Sequence, residues 1–179
     1  AKHTFAPYLT YNELNQIAAQ APIGSNSLRA LPFGNGAERM LNNKYTGAQF
    51  LGIDLNTHDQ SHIFRAVQEG IAFAFRYGFD IMRENGMKPA VIRAGRANLF
   101  LSDLFAQTFV DVTNVPVELY DNDGSVGAAL GAGLGAGIFS SPAEAFTNHQ
   151  VLKYIEPKNT QAYEPIYQDW QEILRTNLK

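Results

Sequence analysis

The sequence predicts an α/β domain. Beyond residue 85, short strand-like runs alternate with helical patterns, the signature of a sheet with crossover helices. One apolar stripe at helical period runs for about seven turns through the middle of the chain. With 179 residues, 45% of them hydrophobic, the chain can build one core.

In chain order, residues 11–21 place Leu14, Ile17, Ala18 and Ala21 on one helical face, and Pro22 and Gly24 close that helix. A short apolar piece, 28–33, leads into the Gly/Asn loop 34–36 and a polar stretch to Gly47, after which 49–54 reads as a strand. The stripe follows, with Ile63, Val67, Gly70, Ile71, Ala74, Phe75, Gly78, Ile81 and Met82 on one face. Thr57 and Gln60 have capping-box spacing at its start, and Asn85-Gly86 is its stop signal. Then come a strand at 90–94, a helix at 99–112 carrying Leu101, Leu104, Phe105 and Phe109, a strand at 115–120 and a helix at 125–139. Residues 141–160 read as an irregular connection ending in the breaker Pro157, and 161–178 as a last helix with Ala162, Ile166, Trp170, Ile173 and Leu174. No internal repeat interrupts this order, so residues 1–179 form one unit, with 141–179 as its connection and terminal helix.

Composition excludes several functions. Fourteen Lys and Arg against 17 Asp and Glu leave a net charge of −3, which offers no broad cationic surface to nucleic acid or to an anionic membrane. There is no cysteine, which removes disulfide scaffolds, Cys-rich zinc sites and thiol catalysis and fits a reducing cytoplasm. The first residues, AKHTFAPYLT, lack the sustained apolar segment of a signal peptide. The run 126–139, VGAALGAGLGAGIF, is shorter than the roughly 20 residues that cross a bilayer and is expected to be a buried helix of a soluble domain. The expected localisation is therefore cytoplasmic.

The loop from Arg93 to Asn98 joins a predicted strand to a predicted helix, where open α/β sheets bind ligands. Small residues there let a base or ribose approach the backbone, Asn98 could bond the base, and free N–H groups of the next helix could face a phosphate. Any strand-to-helix turn favours the same residues, so spacing leaves both readings open. Asp121-Asn122-Asp123-Gly124 lacks the order and distal Glu of a calcium loop. Gly127, Gly131 and Gly135, at four-residue intervals, predict a flat helix face for close packing, and for sliding if it lies at a hinge. His58-Asp59-Gln60-Ser61-His62 imitates a zinc motif, but Asp59 stands where a general-base Glu is needed and no third ligand is evident, which favours a solvated helix start. Glu38-Arg39 reads as a structural pair on a loop, and Glu69 as a mid-helix carboxylate that would be a polar contact if it faced a cleft. There is neither a Ser/His/Asp constellation nor a P-loop.

The succession LPFGNGAER, GAQFLGIDL, AVQEGIAFAFR, IRAGRANLFLSDLFA, VPVELYDNDGSVGAALGAGLGAGIF and IEPKNTQAYEPIYQDWQEIL resembles the C-terminal half of the FGGY carbohydrate kinases from about Tyr11 onward. Ala48, Phe50, Gly52, Ile53, His62, Ile63, Ala66, Val67 and Glu69 match that family's second signature, while Gln68 departs from its usual aliphatic. The pattern Tyr163-Glu164-Pro165-Ile166-Tyr167 is most similar to the xylulose kinases within the family.

The resemblance implies a ribonuclease-H-like, actin-like ATPase lobe, the C-terminal one of two, with nucleotide in the cleft between them. It places Ala94, Gly95, Arg96, Ala97 and Asn98 on the adenosine loop. Arg96 stands there for a glycine, its backbone tolerated or its guanidinium on the base or a phosphate. It puts 124–132 on a connecting helix at the lobe interface, and makes the Glu38-Arg39 loop one residue longer than usual. It implies ATP and Mg2+ as cofactors and a sugar as substrate of the parent enzyme, with xylulose first and gluconate, ribulose, rhamnulose or glycerol as alternatives. A non-catalytic actin-like module is the reading from another class. The family's catalytic Asp, sugar-binding residues and phosphate loops lie upstream of the matched region. This chain is accordingly expected to be a piece lacking its lobe's first strands, inactive alone, with an open edge and apolar face covered by the missing N-terminal lobe or by self-association.

Overall fold

A computed structural model describes residues 1–36, 38–147 and 150–178. Two small helices begin it, α1 (Lys2–Phe5) and α2 (Tyr11–Ala18). A reciprocal cap that the sequence reading passed over starts α2: Glu13 N–H donates to Thr10 Oγ1 (3.2 Å) and Thr10 N–H to Glu13 Oε2 (2.7 Å). The helix ends at Ala18, earlier than expected, and buries Leu14 and Ala18 with Ala6 against Phe64.

Strands β1 (Arg29–Phe33) and β2 (Gly47–Leu51) form an antiparallel ribbon with Leu31 opposite Gln49. The second strand stops before the expected residue 54 because Gly52 turns with φ +78° and its Cα sits over Ser27 O, which an added Cβ would meet at 2.9 Å.

The stripe forms α3 (Gln60–Glu84), 25 residues long. Its cap is Asp59 rather than Thr57: Asp59 Oδ1 accepts from Ser61 N–H (2.9 Å) and from His62 Nδ1 (2.9 Å). A carboxylate that takes several donors at a helix N-terminus outcompetes a lone hydroxyl. These bonds hold the Asp59 carboxyl well below the usual carboxylate range, the Ser61 hydroxyl contributing most and His62 next. At Gly70 the helix crosses β1 so closely that a Cβ would lie 2.3 Å from Ala30 O.

The second sheet holds β3 (Ile92–Gly95), β4 (Val117–Tyr120) and β5 (Val151–Ile155) in the order β3-β4-β5, with β3 parallel and β5 antiparallel to β4. The crossover expected as one helix is a 3-10 turn, Asn98–Leu101, followed by α4 (Asp103–Thr113). Ser102 divides them, its Oγ accepting from Phe105 N–H at 3.2 Å. Phe105, Phe109 and Val110 of α4 bury Val117, Leu119 and Ile155 of the sheet.

Two expectations are overturned beyond β4. Helix α5 (Gly124–Gly135) is exposed: only Gly133 is buried, and Cβ atoms added at Gly124, Gly127, Gly131 and Gly135 would meet nothing within 4 Å. The described residues supply no element to pack on its flat face. The supposedly irregular 141–160 contains α6 (Pro142–Ala145) and β5, whose exposed apolar and charged residues hid a strand that pairs at an edge. The last helix, α7 (Thr160–Asn177), buries Tyr163, Tyr167, Trp170 and Leu174 against Leu31, Phe33 and Phe73. Trp170 Nε1–H donates to Ala30 O at 2.9 Å. The Tyr163 to Tyr167 pattern lies inside this helix, where Pro165 gives up one backbone bond.

One buried network joins these layers. Glu69, 2% exposed, accepts at Oε1 from Gly24 N–H (2.9 Å) and Arg65 Nε (2.9 Å), and at Oε2 from the Ser25 hydroxyl (3.4 Å). Arg65 Nη2 donates to Tyr163 Oη at 2.6 Å. Glu69 is thus an anchor and not a cleft residue. It braces a turn in which Ser25, Asn26 and Ser27 all have positive φ (48°, 49° and 71°).

The chain exposes 10467 Å², against roughly 8,600 Å² for a compact monomer of its mass. Part of the excess is a groove of about 540 Å³ lined by Phe33, Met40, Ile71, Phe75, Phe79 and Met82, and among the described residues no strand pairs with the outer edge of β3.

Glu69→Ala, which strands the Arg65 charge in the interior, is expected to lower unfolding free energy by about 3–5 kcal/mol in denaturant titrations. The double variant Glu69→Leu with Arg65→Met is expected to recover part of that loss. Asp59→Ala should cost about 1 kcal/mol. Because its folded pKa is depressed, the stabilisation is present above the ordinary carboxylate value and disappears as pH falls through the lower folded one, so wild type and Asp59→Ala should converge in strong acid.

Candidate functional site

The C-terminal ends of the parallel strands β3 and β4 open into a cavity of about 580 Å³. Ala94, Gly95 and Arg93 of β3 form one side, and Tyr120 with Asn122 the next. Pro142, Ala143 and Phe146, on and just after α6, form the third. Period-2 alternation explains the first two sides: Ile92 and Ala94 point into the core while Arg93 and Gly95 face out, and Val117 and Leu119 alternate with Glu118 and Tyr120 in the same way. A cavity at strand carboxyl ends, walled by apolar and backbone atoms, accepts a flat ring with a few polar contacts.

Of the loop residues singled out from the sequence, Ala94 and Gly95 line this cavity, while Arg96, Ala97 and Asn98 follow them in the chain and are not part of its lining. Asn98 begins the 3-10 turn with φ +51° and an exposed side chain. Arg96 is exposed and fixed through its backbone, its N–H donating to Tyr120 O at 2.9 Å. Its charge adds to that of Lys153, which bonds Asp103 at 2.7 Å, in holding the Asp103 carboxyl below the ordinary range. Gly95 has a packing reason to be small: a Cβ there would lie 2.2 Å from Asn122 O.

Tyr120, Asn122, Pro142, Ala143 and Phe146 were missed as site residues. The signal for α6 was present as Ser141-Pro142-Ala143-Glu144, a capping-box spacing with proline in the first turn. Glu144 N–H donates to Ser141 Oγ (3.2 Å), and the Glu144 carboxylate accepts from Ser140 N–H (2.7 Å).

On the outer face of the sheet, Arg93 Nε donates to Glu118 Oε2 (2.9 Å) and the Tyr120 hydroxyl donates to the same oxygen (2.7 Å). The Tyr120 bond first, and Arg93 second, lower the Glu118 pKa, and Glu118 in turn raises that of Tyr120.

The other sequence motifs resolve as structure. His58 Nε2 contacts Asn26 O (3.1 Å) while its Nδ1 accepts from Asp54 N–H (2.9 Å), and His62 Nε2 meets the Asn26 side-chain amide at 3.0 Å. Both rings are committed to the 24–27 turn and the α3 cap. Asp123 caps α5, accepting from Ser125 N–H (2.9 Å) and Val126 N–H (3.3 Å). Glu38 is half-buried on the apolar groove and Arg39 is exposed, the preceding loop residue Ala37 lying outside the described residues. Among the described residues, no three His, Cys, Asp or Glu side chains converge to hold a metal, and no helix is long and apolar enough to cross a membrane.

Comparison with known proteins gives a consistent picture. Residues 3–137 match the C-terminal domain of the FGGY family of carbohydrate kinases. The chain is 40% identical over 121 residues to a xylulose kinase of Haemophilus influenzae, covering 66% of this chain and 23% of that protein. It is 29% identical over 179 residues to a xylulose kinase of Bacillus subtilis, covering 96% of this chain and 35% of the relative. The solved structure of ligand-bound xylulose kinase from Lactobacillus acidophilus superposes with a TM-score of 0.84 at 24% identity, over 98% of this chain and 36% of that one. The chain therefore spans about a third of the length of such full-length relatives.

The packing at Gly95 sets a test of the site's construction. Gly95→Ala is expected to lower the melting temperature by several degrees, because the backbone of Asn122 must retreat from the new Cβ. Substitution at the exposed Arg96 should leave the melting temperature within about a degree, whereas Asn98→Ala, at a left-handed φ of +51°, should lower it by a few degrees.

Proposed function

The chain belongs to the FGGY family of carbohydrate kinases, and we propose that it is the C-terminal lobe that holds the adenosine end of ATP in a sugar kinase. The observation that supports this reading is the cavity at the carboxyl ends of β3 and β4, whose apolar walls suit a base. Ala94 and Gly95 present backbone to the ligand, and Arg96, Ala97 and Asn98 continue the same loop beyond the cavity wall. The exposed Asn98 amide is the group for the base or ribose.

The parent reaction proposed is transfer of the γ-phosphoryl group of ATP to D-xylulose, giving D-xylulose 5-phosphate and ADP. The names of the relatives support the sugar. Phosphoryl transfer requires nucleophile, base and metal-bound phosphates together, and this lobe supplies the adenosine end alone. The catalytic carboxylate and the sugar contacts belong to an N-terminal lobe. The described carboxylates do not converge into a Mg2+ cage, so Mg2+ enters as the companion of the ATP phosphates and no step is assigned to it here. A second lobe, or a second copy of the chain, would cover the glycine face of α5 and the α3 groove. The lobe by itself is expected to bind ATP weakly and to phosphorylate no sugar.

In the complete protein, Asn98→Ala and Phe146→Ala should each raise the ATP dissociation constant about 5- to 100-fold, the range of one lost polar or stacking contact. Unchanged affinity in both would sink the assignment. A panel of xylulose, gluconate, ribulose, rhamnulose and glycerol should show highest kcat/KM with xylulose. Turnover of none of them would favour the non-catalytic actin-like reading.

A further inference from the structure

Among the side chains that line the cavity, one is a charged donor held in place by two others. We propose that Arg93 sets which base the cavity accepts, donating to the N7 acceptor of a purine, and that Glu118 and Tyr120 are positioning residues for its guanidinium. This rests on the reading of the cavity as the nucleotide site.

Arg93 forms part of the wall next to Ala94 and Gly95. Its Nε donates to Glu118 Oε2 at 2.9 Å, and Tyr120 is a second partner of the guanidinium. With five N–H donors, the guanidinium can still offer some to a ligand. Tyr120 Oη donates to the same Glu118 oxygen, so the carboxylate that receives Arg93 is held from a second side. An ion pair this exposed, with 67% of the Arg93 side chain in solvent, contributes little to stability. The arrangement therefore matters for where it holds the guanidinium, not for folding.

The rest of the wall sharpens the inference. Ala94, Gly95, Pro142 and Ala143 offer apolar and backbone atoms that suit any flat ring. The Tyr120 hydroxyl proton is committed to Glu118. Arg93 is the charged group on this wall, a donor without acceptor capacity, which matches the purine N7 edge; a pyrimidine has no N7 and carries its acceptors at other positions of the ring.

Binding of ATP, 7-deaza-ATP, CTP and inorganic tripolyphosphate to the complete protein tests this. With wild type, 7-deaza-ATP should bind about tenfold more weakly than ATP. Arg93→Met should weaken ATP about tenfold while leaving 7-deaza-ATP, CTP and tripolyphosphate unchanged. Glu118→Gln and Tyr120→Phe should reduce the ATP to 7-deaza-ATP ratio about two- to fivefold, and all three variants should keep the wild-type melting temperature. Equal loss for every nucleotide and for tripolyphosphate on Arg93→Met would make it a phosphate contact and overturn the proposal. So would an ATP to 7-deaza-ATP ratio that the variant does not change. If wild type binds none of the nucleotides, the nucleotide-site reading itself fails, a result distinct from binding without discrimination.

Discussion

The Glu69 carboxylate governs how the rest of this lobe is assembled. Burying a charge is unfavourable unless donors surround it, and the four that do come from distant parts of the sequence: the backbone of Gly24, the hydroxyl of Ser25, Arg65 one turn back on α3, and, at 3.5 Å, Tyr163 on α7. Desolvation of Tyr163 raises its pKa, which keeps it a donor across the physiological range. A single acceptor thereby fixes the 24–27 turn and the terminal helix on opposite flanks of the central helix. The left-handed run from Ser25 to Ser27 persists because this network and the two histidines hold it from both sides.

The candidate site depends on that frame at one remove. α3 carries Ile71 and Phe79 to the cluster in which α4 packs on β4, and the β3 residues Ile92 and Ala94 pack against the same cluster. Inward residues of β3 are therefore locked, and the alternate ones, Arg93 and Gly95, are presented to the cavity at a fixed level. Gly95 and Asn122 touch so closely that the two loops leaving β3 and β4 form one rigid floor. The opposite wall is built from α6, a single turn whose cap bonds are all local, so it is the part of the site least tied to the core. That asymmetry suits a nucleotide pocket, where one side must be preorganised and the other can adjust to the ligand.

The exposed surface belongs to the same account. The proposed two-lobe arrangement would use faces that are apolar yet open on this chain. Among the described residues, the glycine face of α5, the α3 groove and the unpaired edge of β3 have this character. The long run of Ala, Gly and Leu in α5 is suited to close approach by a backbone rather than to burial in its own lobe.

Periodicity alone was enough to specify the elements with strong amphipathic signals. The α3 stripe, α4, β3, β4 and the terminal helix all sit within a few residues of where their patterns put them, because hydrophobic spacing at 3.6 or 2 residues has one burial-compatible conformation. The family motifs singled out the loop from Ala94 to Asn98, which leaves the carboxyl end of β3. Tertiary structure decided the rest. Whether α5 was buried depended on a partner surface that no local pattern encodes, and β5 showed itself only when β4 offered an edge to pair with. Which carboxylate was an anchor and which lined a cavity also followed from contacts across more than 20 residues of sequence: Glu69 with Gly24 and Tyr163, Glu118 with Arg93. Local sequence fixes conformation through sterics and spacing, whereas the role of a charge is set by what the folded chain brings within about 3 Å of it.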